Sequence, residues 1–292
     1  MSDAREHKLQ LFTLHSRSWQ ANRYVYPVIS RRSKGLSVGV NLNPDKVCNF
    51  DCIYCCVDRT VPATVIEVDM DVLRDELRHM LQLVASGEIW TQPPFDRTPG
   101  HLKRLNDVAF SGDGEPTSFP QFAEACELAA SELAACGLAA TTKIVVITNA
   151  TLLRRPVVER ALSFLDHHNG EIWAKLDAGT EDYYRHVERT SIPLSRVLDN
   201  IAAAGQVRPI VIQSLFMNVN GEPPPDPEID AYITRLRELI DRGCRIKLVQ
   251  VYTVARGTAE AYVTPLDDAQ VDAIAARVCA LGIDAEAYYG PT

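Results

Sequence analysis

Short runs rich in β-branched residues alternate with longer stretches of 3.6-residue apolar period, and the pair repeats six times along the 292-residue chain. The runs fall at residues 37–42, 107–111, 143–148, 171–176, 209–216 and 245–254. The periodic stretches fall at 72–85, 120–136, 156–165, 194–204, 228–241 and 267–280. Gly87, Gly137, Gly205, Gly243 and Gly282 stand just past five of these stretches, where a left-handed residue closes a helix. Strict alternation implies a parallel sheet with right-handed helical crossovers. Six units make an open doubly wound sheet or a partial barrel, and both bind ligands at the carboxyl ends of the strands. The length suits a single barrel-like core over 37–292, preceded by an N-terminal strap over 1–36. Two Pro-rich polar stretches, 91–106 and 220–227, read as mobile loops.

Composition excludes several classes. A hydrophobic fraction of 46% and a charged fraction of 23% are those of a globular chain, not a collagen-like or disordered one. No apolar run approaches the ~20 residues of a membrane span, and the first ten residues carry no apolar signal core, so a reducing cytoplasm is the expected location. The net charge of −8 speaks against a coat of nucleic acid. Residues 1–36 nevertheless hold seven basic and two acidic groups, with Trp19, Tyr24 and Tyr26 among them. Such an arm either binds a phosphate-bearing or RNA partner or, more simply, packs its aromatics on the body and leaves its charges in water.

Eight cysteines are many for a cytoplasmic chain, and four lie within nine residues directly after the first run: Cys48, Cys52, Cys55 and Cys56. Thiolates spaced x3 then x2 on a short loop can converge on one iron–sulfur cube and leave its fourth iron open. A structural zinc site would want a second, distant ligand pair, which the chain lacks. An electron-transfer cluster would want a fourth cysteine, and Cys56 is the available one.

The segment Cys48-x3-Cys52-x-Tyr54-Cys55, placed after the first strand of a six-unit βα chain, resembles the signature of the radical S-adenosylmethionine (radical SAM) superfamily. Gly112-Asp113-Gly114-Glu115-Pro116-Thr117, after the second strand, resembles the superfamily's Gly-Gly-Glu segment, with Asp113 in place of the first glycine. Asn43-Pro44, the stretch 48–59, 147–151 and Leu176-Asp177-Ala178 are similar to the iron–sulfur oxidoreductase branch near the wyosine tRNA-modification enzymes. This chain carries no cysteine triad upstream of Cys48, so it resembles a single-cluster relative with a different substrate.

The resemblance implies a partial (βα)6 TIM-like barrel of parallel strands, a [4Fe–4S] cluster and S-adenosylmethionine. It implies reductive cleavage of the latter to a 5′-deoxyadenosyl radical that takes hydrogen from a substrate, and an electron donor such as flavodoxin or ferredoxin. Cys48, Cys52 and Cys55 would be the metal ligands. Tyr54 would pack near adenine, and Gly112, Asp113, Gly114 and Glu115 would hold the methionine end. Asn149, Asp177 and Gln213, at the ends of later strands, are candidates for ribose or substrate. Lys175 is a candidate Schiff-base or carboxylate-binding amine, and Cys56 a candidate redox thiol that serves equally well as filler. Cys126 and Cys136 read as core residues; Cys244 and Cys279 have no metal-like partners nearby. The substrate is a small or anionic metabolite or peptide, or a tRNA base. An electron-transfer protein with Cys56 as fourth ligand remains the competing reading.

Overall fold

The computed structural model describes Trp19 and residues 21–290, which divide into two compact units: residues up to Val47 with Ala63–Ile147 and Arg155–Glu171, and Cys48–Pro62 with Thr148–Arg154 and the chain from Ile172 onward. Arg5, Lys8 and Arg17 of the basic arm lie outside the described residues.

In the first unit the strand order is β1 (Val25–Ser30), β2 (Gly35–Val40), β3 (Leu105–Phe110), β4 (Lys143–Thr148). β2, β3 and β4 run parallel, whereas β1 pairs antiparallel with β2. All six residues of β2 are buried, as befits a strand covered on both faces. The antiparallel β1 comes from the expected strap. Its Tyr26 lies opposite Gly39 and covers the space a side chain there would need, an aromatic filling for a strand glycine. Tyr24 and Tyr26 are buried, Trp19 packs edge-on against Phe95 at 5.4 Å, and Glu76 accepts the backbone N–H groups of Arg23, Tyr24 and Val25. The described aromatics of the arm therefore pack on the body.

Helices α1 (Met70–Ala85) and α2 (Phe122–Ala135) supply the crossovers of this unit, and α3 (Pro156–Leu165) packs against α2. Asp69 caps α1 by accepting from Asp71 and Val72 N–H, and Pro156 opens α3 where its missing N–H costs nothing. The stretch 91–106, read as a loop, contains short 3-10 turns at Phe95–Arg97 and Gly100–Leu102. Phe95 and Leu102 are buried within it.

The second unit orders its strands β5 (Gly170–Lys175), β6 (Ile210–Leu215), β8 (Ile246–Tyr252), β10 (Ala285–Tyr288), all parallel, beside a small antiparallel pair of β7 (Met217–Val219) and β9 (Val263–Pro265). Its helices are α4 (Glu181–Glu188), α5 (Leu194–Val207), α6 (Asp226–Asp241) and α7 (Asp268–Cys279). Asp267 and Gln270 form a reciprocal cap on α7. Gly87, Gly137, Gly243 and Gly282 take the left-handed conformation expected of closing residues. Gly205 does not: it lies inside α5, where an added Cβ would strike Cys244. That glycine answers a close approach, not a helix end. Cys126 and Cys244 are buried, Cys136 is half-buried and Cys279 exposed.

Candidate active site

The cysteine loop is held in place mostly by its backbone. Asp51 and Ile53 donate to the carbonyls of Glu188 (3.1 Å) and Val187 (2.9 Å) at the end of α4; Cys55 N–H turns back to Cys52 O (3.0 Å), and Cys55 O accepts from Ala259 N–H (3.0 Å). Arg189 reinforces this seam by pairing with Asp51 (3.6 Å) and Glu260 (2.6 Å). Near the loop's start a closed ring forms at 2.7 Å per link: Asn49 donates to Thr151, Thr151 to Asn149, and Asn149 back to Asn49. Asn200 fixes the Ala150 and Thr151 carbonyls at 2.9 Å each. Asn149 therefore serves here as an anchor for the loop.

None of the four thiols of the loop is in a disulfide; Cys48, Cys52 and Cys55 are half-buried and Cys56 is exposed. Cys52 donates to Glu188 Oε2 (2.7 Å), and Cys55 Sγ accepts from Arg59 Nη1 (3.2 Å). Burial first, then the charge of Glu188, pushes the Cys52 thiol up. Among the described residues no three Cys, His, Asp or Glu side chains are arranged to hold a metal ion. An iron–sulfur cube, which gives each thiolate its own iron, takes a wider set than one ion does. Three unbridged cysteines on one short, pinned loop suit it in chemistry and spacing.

Beneath the loop lies a buried polar cluster. Tyr54 OH lies 2.5 Å from Asp177 Oδ2 and 2.8 Å from Glu188 Oε1. Asp177 also accepts from Leu215 N–H (2.7 Å) and pairs with Lys175 (3.1 Å), whose amine sits 4.5 Å over the Tyr54 ring and 3.5 Å from Tyr252 OH. Burial alone would discharge Lys175, but Asp177 above all outweighs it and holds the amine well above the ordinary lysine value, which favours the charged form that pairs with a carboxylate. Burial and then Asp177 push the Glu188 carboxyl up, with Lys175 opposing. Tyr54 has one proton for two carboxyls, and Glu188 also hydrogen-bonds Asp177 directly, so a protonated Glu188 supplies the second proton of the cluster. Gln213, fully buried in β6, donates to Gln250 Oε1 (2.8 Å), while its own Oε1 has no hydrogen-bond partner among the described residues.

In the first unit, the turn after β3 is built by exclusion. A side chain at Gly112 would collide with Asn41, and one at Gly114 with Asn43 and the Val47 carbonyl. Asn41 holds Asp113 by its carboxylate (2.7 Å) and its N–H (3.1 Å). Glu115, buried, accepts from the Thr117 N–H and hydroxyl and caps the 3-10 turn Pro116–Ser118.

The residue missed by the sequence reading is Glu188. Its partners Cys52 and Tyr54 lie 136 and 134 positions away, and α4, eight residues long, falls between two longer periodic stretches. Lys175 and Asp177 were open to pairing by inspection, since positions two apart on an extended chain share a face.

Parallel strands and helical crossovers define an α/β protein, and a pinned loop of four cysteines marks its candidate site. The Radical SAM superfamily model matches residues 42–231, and the chain belongs to the radical SAM superfamily. A UPF0026 protein of Helicobacter pylori is 25% identical over 62% of this chain and 51% of its own length; one of Methanocaldococcus jannaschii is 25% identical over 61% and 48%. The chain thus spans about half the length of the curated relatives it matches. Among solved structures, a radical SAM methyltransferase from Sphaerobacter thermophilus superposes with a TM-score of 0.61 at 15% identity, over 91% of this chain and 69% of that one. The fold class is the α/β one expected: the parallel, TIM-like partial barrel of radical SAM proteins. The protein is an enzyme of this superfamily, whose cofactors are a [4Fe–4S] cluster and S-adenosylmethionine.

Proposed function

We propose that Cys48, Cys52 and Cys55 hold the [4Fe–4S] cluster of an enzyme that cleaves S-adenosylmethionine reductively and takes hydrogen from a small or anionic substrate. The observation that carries this reading is the loop itself: three cysteines outside any disulfide, in x3, x2 spacing, on a backbone fixed at Asp51, Ile53 and Cys55. When bound, the cluster and S-adenosylmethionine supply the electron transfer and the 5′-deoxyadenosyl radical.

The chain's own residues bind, aim and shield. Gly112, Asp113, Gly114 and Glu115 form the turn that receives the methionine end, rigid because neither glycine has room for a side chain. Tyr54, Asp177 and Asn149 act as posts: their polar atoms are engaged with Glu188, Lys175, Leu215, Asn49 and Thr151, so they fix the loop against its strands. Gln213 offers a buried acceptor, unpaired among the described residues, to a hydroxyl or amine of the cofactor or substrate. Lys175, held charged, favours an anionic group at its exposed edge, its side chain being 20% accessible. Cys56, exposed, lies outside the ligand set. The core over 37–292 with its strap over 1–36 works in the cytoplasm with a flavodoxin or ferredoxin as donor.

Anaerobic reconstitution with iron counting tests the ligand set. About four irons per chain are expected for the wild type and for Cys56→Ser, with loss of bound iron in Cys48→Ala, Cys52→Ala and Cys55→Ala. Loss of the cluster in Cys56→Ser would favour a four-cysteine electron-transfer site instead. Stimulation of cofactor cleavage by bulk tRNA, and not by small metabolites, would move the substrate to a nucleic-acid base.

A further inference from the structure

The three proposed ligand cysteines have unequal neighbours. The Cys52 thiol faces a carboxyl, Glu188. Cys55 faces a cation: Arg59, four residues on, directs Nη1 onto its sulfur at 3.2 Å. Arg59 is half-buried, so its charge is incompletely screened by water. Its spacing from Cys55 is fixed within one short loop, and Cys55 itself is pinned through its backbone N–H and carbonyl.

From this geometry we infer that Arg59 tunes the reduction potential of the cluster through a charge-assisted N–H···S bond to Cys55. The inference rests on the cysteine assignment proposed above. Hydrogen bonds to cluster sulfur and the net charge around it are the protein's means of setting the potential. Adding one electron to the cube increases negative charge on its ligands. A guanidinium donor at a ligand sulfur stabilises that reduced form more than the oxidised one, so it raises the potential and eases electron entry. Because the guanidinium is always charged, the effect holds across the working pH range.

The test is a potentiometric titration of the reconstituted chain, followed by the spectrum of the reduced cluster, with iron counted in each sample. Wild type is compared with Arg59→Lys, which keeps the charge but loses the planar donor, and Arg59→Gln, which keeps a donor but loses the charge. Both variants should retain the cluster and be harder to reduce. For Arg59→Gln the expected change is about tenfold in the one-electron equilibrium, or about 59 mV, with Arg59→Lys between it and the wild type. A wild-type cluster with both variants at its potential overturns the role of Arg59 alone. A wild-type chain that takes up no iron overturns the cysteine assignment, and this inference with it.

Discussion

Tyr54 carries the most consequential single hydroxyl in the second unit, because it contacts two buried carboxyls, Asp177 and Glu188. Tyr54→Phe keeps the ring under Lys175 but removes the bridge, leaving both carboxyls without it; a loss of about 1–3 kcal/mol is expected in chemical denaturation. Asp107 gives the pH counterpart in the first unit. It lies buried in β3, accepts from the Ser37 hydroxyl, and is pushed up to about 6, by burial above all. A carboxyl raised in the folded state ionises more readily when unfolded. Its stabilising contribution is therefore complete below the ordinary carboxylate range and is lost as pH rises through about 6. Asp107→Asn should match the wild type at low pH and exceed it near neutrality and above, by about 3 kcal/mol at most. An unchanged slope of stability against pH between these limits would contradict the assignment. The cysteines were legible in the sequence because their chemistry travels with their spacing. Glu188 was not, because only the folded chain brings it to Cys52.

At the scale of elements, the crossover helices and buried strands were readable because apolar period and β-branched runs report burial directly. β2 begins at Gly35 and ends at Val40, against an expected 37–42. Three features were hidden for distinct reasons. β1 lies in a stretch whose charges drew attention from Val25, Val28 and Ile29, the residues of a strand. α4 is short and strongly polar, with Tyr184, Val187 and Glu188 as its buried residues. Gly205 looked like a helix stop and proved to be a contact with Cys244. Gly205→Ala tests that reading. Helix propensity would favour alanine by about 1 kcal/mol, whereas forcing a methyl group against a buried sulfur costs about 1–3 kcal/mol, so the variant should melt lower than wild type. Adding Cys244→Ala should recover most of the loss, a coupling that a cycle of the two substitutions measures.

For the whole molecule, the six-fold βα beat set the class, the superfamily match over residues 42–231 set the cofactors, and the folded chain supplies the fittings between them. Two seams do that work in the second unit: α4 against the cysteine loop, and the ring of Asn49, Thr151 and Asn149. The central claim, that this loop holds a cluster which opens S-adenosylmethionine, is tested most directly by 5′-deoxyadenosine release. The reconstituted chain is supplied with S-adenosylmethionine and a strong one-electron reductant, and compared with Cys48→Ala, Cys52→Ala and Cys55→Ala. Release by the wild type and its loss in all three variants is the expected result; a fully iron-loaded wild type that releases none, or variants that release as much, would contradict it.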